Sequence, residues 1–179
     1  ITNGALIAGT NVVANVAGNI TNSGTISGAN LVSLTAGNDF INSSGVLVSG
    51  GTVGIRAGND ILNKAGASIT GGDVFLTAGR DIVMSSTIDT ATSSSRENLG
   101  GKRFASETVT TQTATGSTIS ATGNLVMNAG RDISISFGNV SAGGDAALTA
   151  GRDVLVTGVT TTDRSDAAWK TGKNTYGTS

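Results

Sequence analysis

Cysteine, histidine and proline are all absent from this chain, and aromatic residues make up only 3% of its 179 positions. Without cysteine there is no disulfide, although that leaves the redox compartment open. Without cysteine or histidine, the commonest zinc sites, nucleophiles and general bases are excluded. Charge of either sign is also scarce: 11 basic residues face 12 acidic ones, for a formal net charge of -1. No long-range field therefore points to nucleic acid as a partner. No apolar run approaches the roughly 20 residues that a membrane-spanning helix needs. The chain opens on Ile1-Thr2-Asn3, a copy of Ile20-Thr21-Asn22. Both ends thus read as cut from a longer array, with any targeting signal outside it.

What the chain has instead is glycine, 27 of them, and a recurring phrase. LTAGNDF begins at 34, IRAGNDI at 55, LTAGRDI at 76, MNAGRDI at 127 and LTAGRDV at 148, with a weaker NVAGNI at 15. The phrase's glycine falls at Gly18, Gly37, Gly58, Gly79, Gly130 and Gly151, giving spacings of 19, 21, 21, 51 and 21. A period near 20 marks a solenoid, whose repeats bury their apolar faces only against neighbours. Apolar residues alternate within each repeat and are mostly β-branched or Leu, so the units are strands.

Aligning the repeats gives columns. One runs Ile7, Ile26, Val48, Ile69, Ile119, Val140. A second runs Val13, Val32, Val53, Val74, Leu125, Ala146, with Leu34, Ile55, Leu76, Met127 and Leu148 two residues on. A third runs Ile20, Phe40, Ile61, Ile82, Ile133, Val154. Three short strands per coil of about 20–21 residues describe a right-handed parallel β-helix, each rung stacked about 4.8 Å above the last. Its narrow interior suits Val, Ile, Leu and Ala, which accounts for the missing aromatics. Two residues after the third column come Asn3, Asn22, Asn42 and Asn63. Strand alternation points them inward, where stacked amides can satisfy one another as a ladder. At the equivalent later positions stand Met84, Ile135 and Val156, so the ladder ends after the fourth coil.

The 51-residue spacing holds one coil plus about 30 extra residues, which enter after Met84. Thr-rich flanks around Gly100-Gly101 read as a β-hairpin, since a type I′ turn needs positive φ at both central positions. The reading is a single β-helix fragment of 1–179. Asn-ladder coils occupy 1–84, an extrahelical hairpin arm 85–115, further coils 116–158, and the start of a second arm 159–179. A disordered Ser/Thr loop is the alternative for the first arm. In the second, a turn at Gly172-Lys173 sets Trp169 opposite Tyr176, the only Trp and Tyr present. The arms hold six of the basic residues: Arg96, Lys102, Arg103, Arg164, Lys170 and Lys173. Variable, charged and aromatic features thus gather on excursions from a monotonous scaffold, where binding residues usually sit. Arg96, Lys102, Arg103, Phe104, Trp169, Lys170, Lys173 and Tyr176 are the candidate partner-binding residues. Arms that only cover a sheet or separate neighbours are an equal reading.

Asp39, Asp60, Asp81, Asp132 and Asp153 form a column beside the repeated glycine. Stacked carboxylates can hold Ca²⁺, but the tandem nonapeptide of calcium β-rolls is missing. A turn role, capping local N–H groups, is the stronger reading. Arg80, Arg131 and Arg152 would then balance Asp81, Asp132 and Asp153. Asp89, Glu97 and Glu107 are the only acidic residues that the first arm could assemble, and no catalytic pairing stands out. No enzyme activity, cofactor or metal is expected.

The phrases SAGGDAALTAGRDVLVTG (141–158) and SATGNLVMNAGRDISIS (120–136) resemble the haemagglutinin repeats of large two-partner-secreted exoproteins. That family includes filamentous haemagglutinin adhesins and contact-dependent growth inhibition toxins. The earlier ITNSGTISG and INSSGVLVSG units resemble its Asn-containing block, so the fragment straddles two repeat types. The resemblance implies secretion to the bacterial cell surface through an outer-membrane transporter partner, and a filament built with flanking repeats of the same chain. It also implies a host or target-bacterium surface receptor as a partner. The function it implies is a structural rod segment that displays or delivers other domains. The rival is a binding module whose arms contact a receptor, a glycan or a target-cell surface.

Overall fold

The computed structural model describes residues 1–171 and 174–178, and among these every regular element is a strand. Two compact units make up the chain: Ile1–Thr87 with Thr115–Val159, and Ile88–Ala114 with Thr160–Ser179. Lys173 and the Gly172-Lys173 turn lie outside the described residues.

The first unit is a parallel β-helix of seven rungs and three faces. Its first face stacks Thr2–Asn3, Ile20–Asn22, Phe40–Asn42, Ile61–Asn63, Ile82–Met84, Ile133–Ser136 and Val154–Thr157, each pair parallel. The second stacks residues 6–9, 25–28, Val46–Ser49, Ser68–Gly71, Thr118–Ala121 and Asn139–Ala142. The third stacks 11–16, 31–36, Thr52–Ala57, Asp73–Ala78, Leu125–Ala129 and Ala146–Ala150. In the first two rungs one bent strand, Leu6–Val16 or Thr25–Ala36, supplies both the second and third faces. Alternate residues point inward, so each face contributes one to three side chains per rung to a single core. Ile61, Ile69, Val74 and Leu76 are fully buried there, and Ile82, Ile119, Leu125 and Ile133 continue the same columns in the rungs above.

Three column members differ from those that spacing predicts, each by one residue. Leu47, not Val48, pairs with Ile26 and Ile69 and is buried. Val12, not Val13, pairs with Val32, and Val13 is 68% exposed. The cause is corner length. The register between the first two rungs shifts between Gly9 and Asn11, so the first corner is one residue shorter than the next. The glycine column slips for the same reason. The amide of Gly37 bonds to Val16 and that of Asn38 to Gly18, so Ala17, not Gly18, lies under Gly37.

The glycine column exists because the rungs nearly touch at this corner. A Cβ on Gly37, Gly58, Gly79, Gly130 or Gly151 would lie closer than 3.0 Å to the carbonyl oxygen of the rung before it.

Asn3, Asn22, Asn42 and Asn63 are buried in the interior. Each Nδ2 donates to the next Oδ1, at 2.8 Å from Asn3 to Asn22, 2.9 Å from Asn22 to Asn42 and 3.0 Å from Asn42 to Asn63. Each amide also reaches a carbonyl at the start of the next rung's second face: Thr25, Val46, Ser68 and Thr118 in turn. Those four residues are themselves register partners, so the amides climb the axis in one direction with the same pair of bonds. Aligned chains of this kind polarise one another. Met84 stands where the fifth amide would be, fully buried, followed by Ile135.

Candidate functional site

The aspartate column forms a corner ladder rather than a cation cage. The Asp39, Asp60, Asp81 and Asp132 carboxylates each accept the backbone N–H of the next rung's aspartate, at 3.1–3.3 Å. The arginines pair one rung lower than their sequence neighbours suggest. Arg80 donates twice to Asp60, with its Nη2 2.5 Å away, and Arg131 and Arg152 bind Asp81 and Asp132 in the same bidentate way. Hydrogen bonds from Arg131 and Arg152 hold the Asp81 and Asp132 carboxyls below the usual carboxylate range. The N–H capped is therefore that of the rung above, not a local one. Every ladder carboxylate with an arginine above it takes three donors, two from the guanidinium and one from the backbone. Among the described residues no group of three or more His, Cys, Asp or Glu side chains is placed to hold a metal ion.

The second unit contains most of the candidate binding residues. Thr87–Gly100, Arg103–Thr115, Arg164–Thr171 and Asn174–Thr178 form one four-stranded sheet in that order. The C-terminal strands therefore join the same sheet as the first pair. Arg103–Thr115 runs antiparallel to Arg164–Thr171, with Phe104 opposite Lys170 and Ala105 opposite Trp169. The turn takes in Gly100, Gly101 and Lys102, at φ of 74°, 60° and 66°, and so reaches one residue beyond Gly100-Gly101. Lys102 bears the left-handed conformation that glycine would take without strain.

Opposed residues share a side of a sheet. The Arg96 guanidinium lies 4.1 Å from the Phe104 ring centroid, which puts Arg96 on the Phe104 side with Lys170. Hydrogen bonds of Thr92 to Thr110 and of Gln112 to Thr90 keep the same alternation along the strands. Arg164 and Asp166, paired at 2.7 Å, fall on that side as well. On the other side Trp169 stacks on its cross-strand partner Tyr176, centroids 5.9 Å apart and planes 21° from parallel. Alternation places Asp89, Glu97 and Glu107 there too, and Glu107 accepts from the Ser165 hydroxyl at 3.1 Å.

Each side carries a shallow concavity. That on the Phe104 side, about 650 Å³, is lined by Arg96, Asn98, Lys102, Arg103, Phe104 and Lys170, and no acidic residue borders it. Five of the eight candidate residues thus meet in one place. Arg103 is partly committed, its guanidinium donating to the Leu99 and Gly100 carbonyls. The other concavity, about 550 Å³, has an alanine floor of Ala105, Ala167 and Ala168, with Trp169, Glu97 and Glu107 at its edges and Arg96 bordering it as well. Trp169 and Tyr176 are not brought to the basic concavity. Pairing of 104–110 with 164–170 spans more than fifty residues, and no local signal in the sequence encodes it. Asp89, Glu97 and Glu107 share a side without a catalytic pairing among them.

No curated protein and no solved structure matches the chain. The hemagglutinin-repeat family matches it twice, over residues 3–101 and 99–175, and so takes in both the rungs and the four-stranded sheet. The corner phrase, the parallel stack it builds and this match agree, and the chain belongs to the hemagglutinin-repeat family.

Proposed function

We propose that this chain is a rod segment of a secreted, filamentous haemagglutinin-like surface protein, an adhesin or a contact-dependent growth inhibition exoprotein, displaying or delivering other domains. The observation that carries this is continuous parallel pairing, whose register shifts only between Gly9 and Asn11 among the described strands. Three faces keep parallel pairing from rung to rung, and one corner phrase supplies every step. Such a stack transmits position along its axis, and it can form rung by rung without distant contacts or disulfides. That suits export through an outer-membrane transporter partner and folding outside the cell, against flanking repeats of the same chain. No cofactor or catalytic residue enters this role.

A second reading, a binding module that contacts a receptor, a glycan or a target-cell surface, is favoured by one observation. Arg96, Lys102, Arg103, Phe104 and Lys170 line a single concavity on the four-stranded sheet. One experiment separates the two. In the full-length exoprotein, residues 87–115 are excised and Ser86 is joined to Gly116, while a second variant loses one whole rung and keeps the sheet. For a rod, adhesion or delivery survives the excision and responds to the change in length. Loss of activity on excision, with the rung stack intact by circular dichroism, would establish the binding reading instead.

A further inference from the structure

The four-stranded sheet has an unusual balance of exposure. None of its described residues is buried. Yet it carries Trp169 and Tyr176 at 42% and 47% exposure, with Ile88 and Leu99 similarly open. A sheet normally buries at least one face against a second layer, and a few strands without such cover are marginal in water. The two sides also differ in charge. The Phe104 side holds Arg96, Lys170 and the Arg164–Asp166 pair, with Lys102 at the rim of its concavity. The Trp169 side holds Asp89, Glu97 and Glu107. Arg103, which alternation also puts there, turns its guanidinium onto its own hairpin and lines the opposite concavity, and Arg96 is the one basic residue that borders the acidic concavity.

We infer that the sheets of two copies of this chain stack face to back, the basic Phe104 side of one on the acidic Trp169 side of the other. In that arrangement the Arg96 and Lys170 head groups meet Glu97 and Glu107, and their aliphatic stems lie across the Trp169 ring and the alanine floor. Opposite potentials favour this register and disfavour like side on like side. The occupant is a second copy because one sheet carries both complementary surfaces. The contact is heterologous, so each partner still offers one free side and the series stays open. Strands spaced about 4.8 Å apart and averaging ten residues give roughly 600 Å² a side, below the 800 Å² or so per partner of a standard stable interface. A single stack is therefore weak, and strength would come from several sheets along paired filaments. The inference holds whichever reading of function is right.

Sedimentation velocity of chain 1–179 tests it. At about 10 mM salt the weight-average mass rises with concentration to at least about twice that of the 17.6 kDa monomer, and near 0.5 M salt it falls back, because screening shortens from about 30 Å to a few Å. Arg96→Glu with Lys170→Glu makes both sides acidic, and Glu97→Lys with Glu107→Lys makes both basic. Each variant alone stays monomeric, while an equimolar mixture associates. The near-ultraviolet dichroism of the Trp169–Tyr176 stack reports that the sheet is folded. Should a charge reversal abolish that signal, Arg96→Gln with Lys170→Gln replaces it, and the salt titration of the unaltered chain stands by itself. A monomer at every concentration and salt would overturn the inference. So would association that persists at 0.5 M salt or in both variants, the behaviour of end-to-end stacking through the exposed apolar rungs at Leu6 and Val156.

Discussion

At the scale of single residues, the repeated glycine and the interior asparagines are fixed by different forces. Gly79 is required by contact: a Cβ there would strike the Gly58 carbonyl oxygen, which belongs to a backbone held by its own rung. Gly79→Ala should therefore cost about 1–3 kcal/mol, as overpacking does. Gly54→Ala, where nothing lies within 4 Å of the added carbon, should change stability by less than about 0.5 kcal/mol. Urea titrations followed by far-ultraviolet dichroism would compare them, and equal losses would show that the corner is not tight. Asn42 is required by hydrogen bonding. Asn42→Ala removes the acceptor of Asn22 and the side-chain donor to Asn63, both inside the core. Asn22 Nδ2 keeps the Gly24 and Val46 carbonyls, but the orphaned Asn63 Oδ1 should cost about 1–3 kcal/mol. The space left by the side chain adds to that, so this variant should lose more than Gly79→Ala in the same titration.

At the scale of elements, the corners show what was legible in the sequence and what was not. Periodicity located every face, because a strand's side chains alternate with a strict period of two. It failed to fix the register at Val13 and Val48, because corners differ by a residue and a one-residue slip swaps inward for outward. The Arg–Asp ladder was legible as composition but not as pairing. Sequence adjacency suggested Arg131 with Asp132, whereas the rung stack brings Arg131 over Asp81. That pairing makes a pH prediction. The Asp81 and Asp132 carboxyls are held below their ordinary value near 3.8 by hydrogen bonds from Arg131 and Arg152. Their contribution is then fully present above that value and is lost as pH falls through the lower, folded one. The melting temperature should be insensitive to these groups from pH 7 down to about 5 and should drop below about 4. Exposure keeps the effect small. Melting of an Asp81→Asn, Asp132→Asn variant between pH 2 and 7 should show a flatter acid limb. An acid limb identical to the parent's would rule the ladder out as a contributor.

At the scale of the whole molecule, the long break in the period hides a corner of ordinary length. Between Asn63 and Ser68 the chain turns in four residues, 64–67, with Gly66 third and at a φ of 75°. Between Met84 and Thr118 the residues outside the two long strands and the turn that joins them are Ser85, Ser86, Gly116 and Ser117, again four with glycine third. Gly116 even accepts the amide of Gly66 from the rung beside it, at 2.9 Å. Stripped of 87–115, the sequence reads as one more corner of the same kind, which is why the rungs resume in register after the break. The rungs have a buried core of their own, made of residues 12–84 and 119–150. A chain of residues 1–86 joined directly to 116–159 should fold to the same parallel stack. Its melting midpoint should stay within a few degrees of the parent's rung transition, since a change under about 1 kcal/mol moves the midpoint of a domain this size by that much. In the parent, amides of 88–114 and 160–171 should exchange with deuterium well before those of the buried strands, as segments with little burial do. If the spliced chain fails to fold, or the sheet and the rungs lose protection together, the break is part of the scaffold and not an insertion into it.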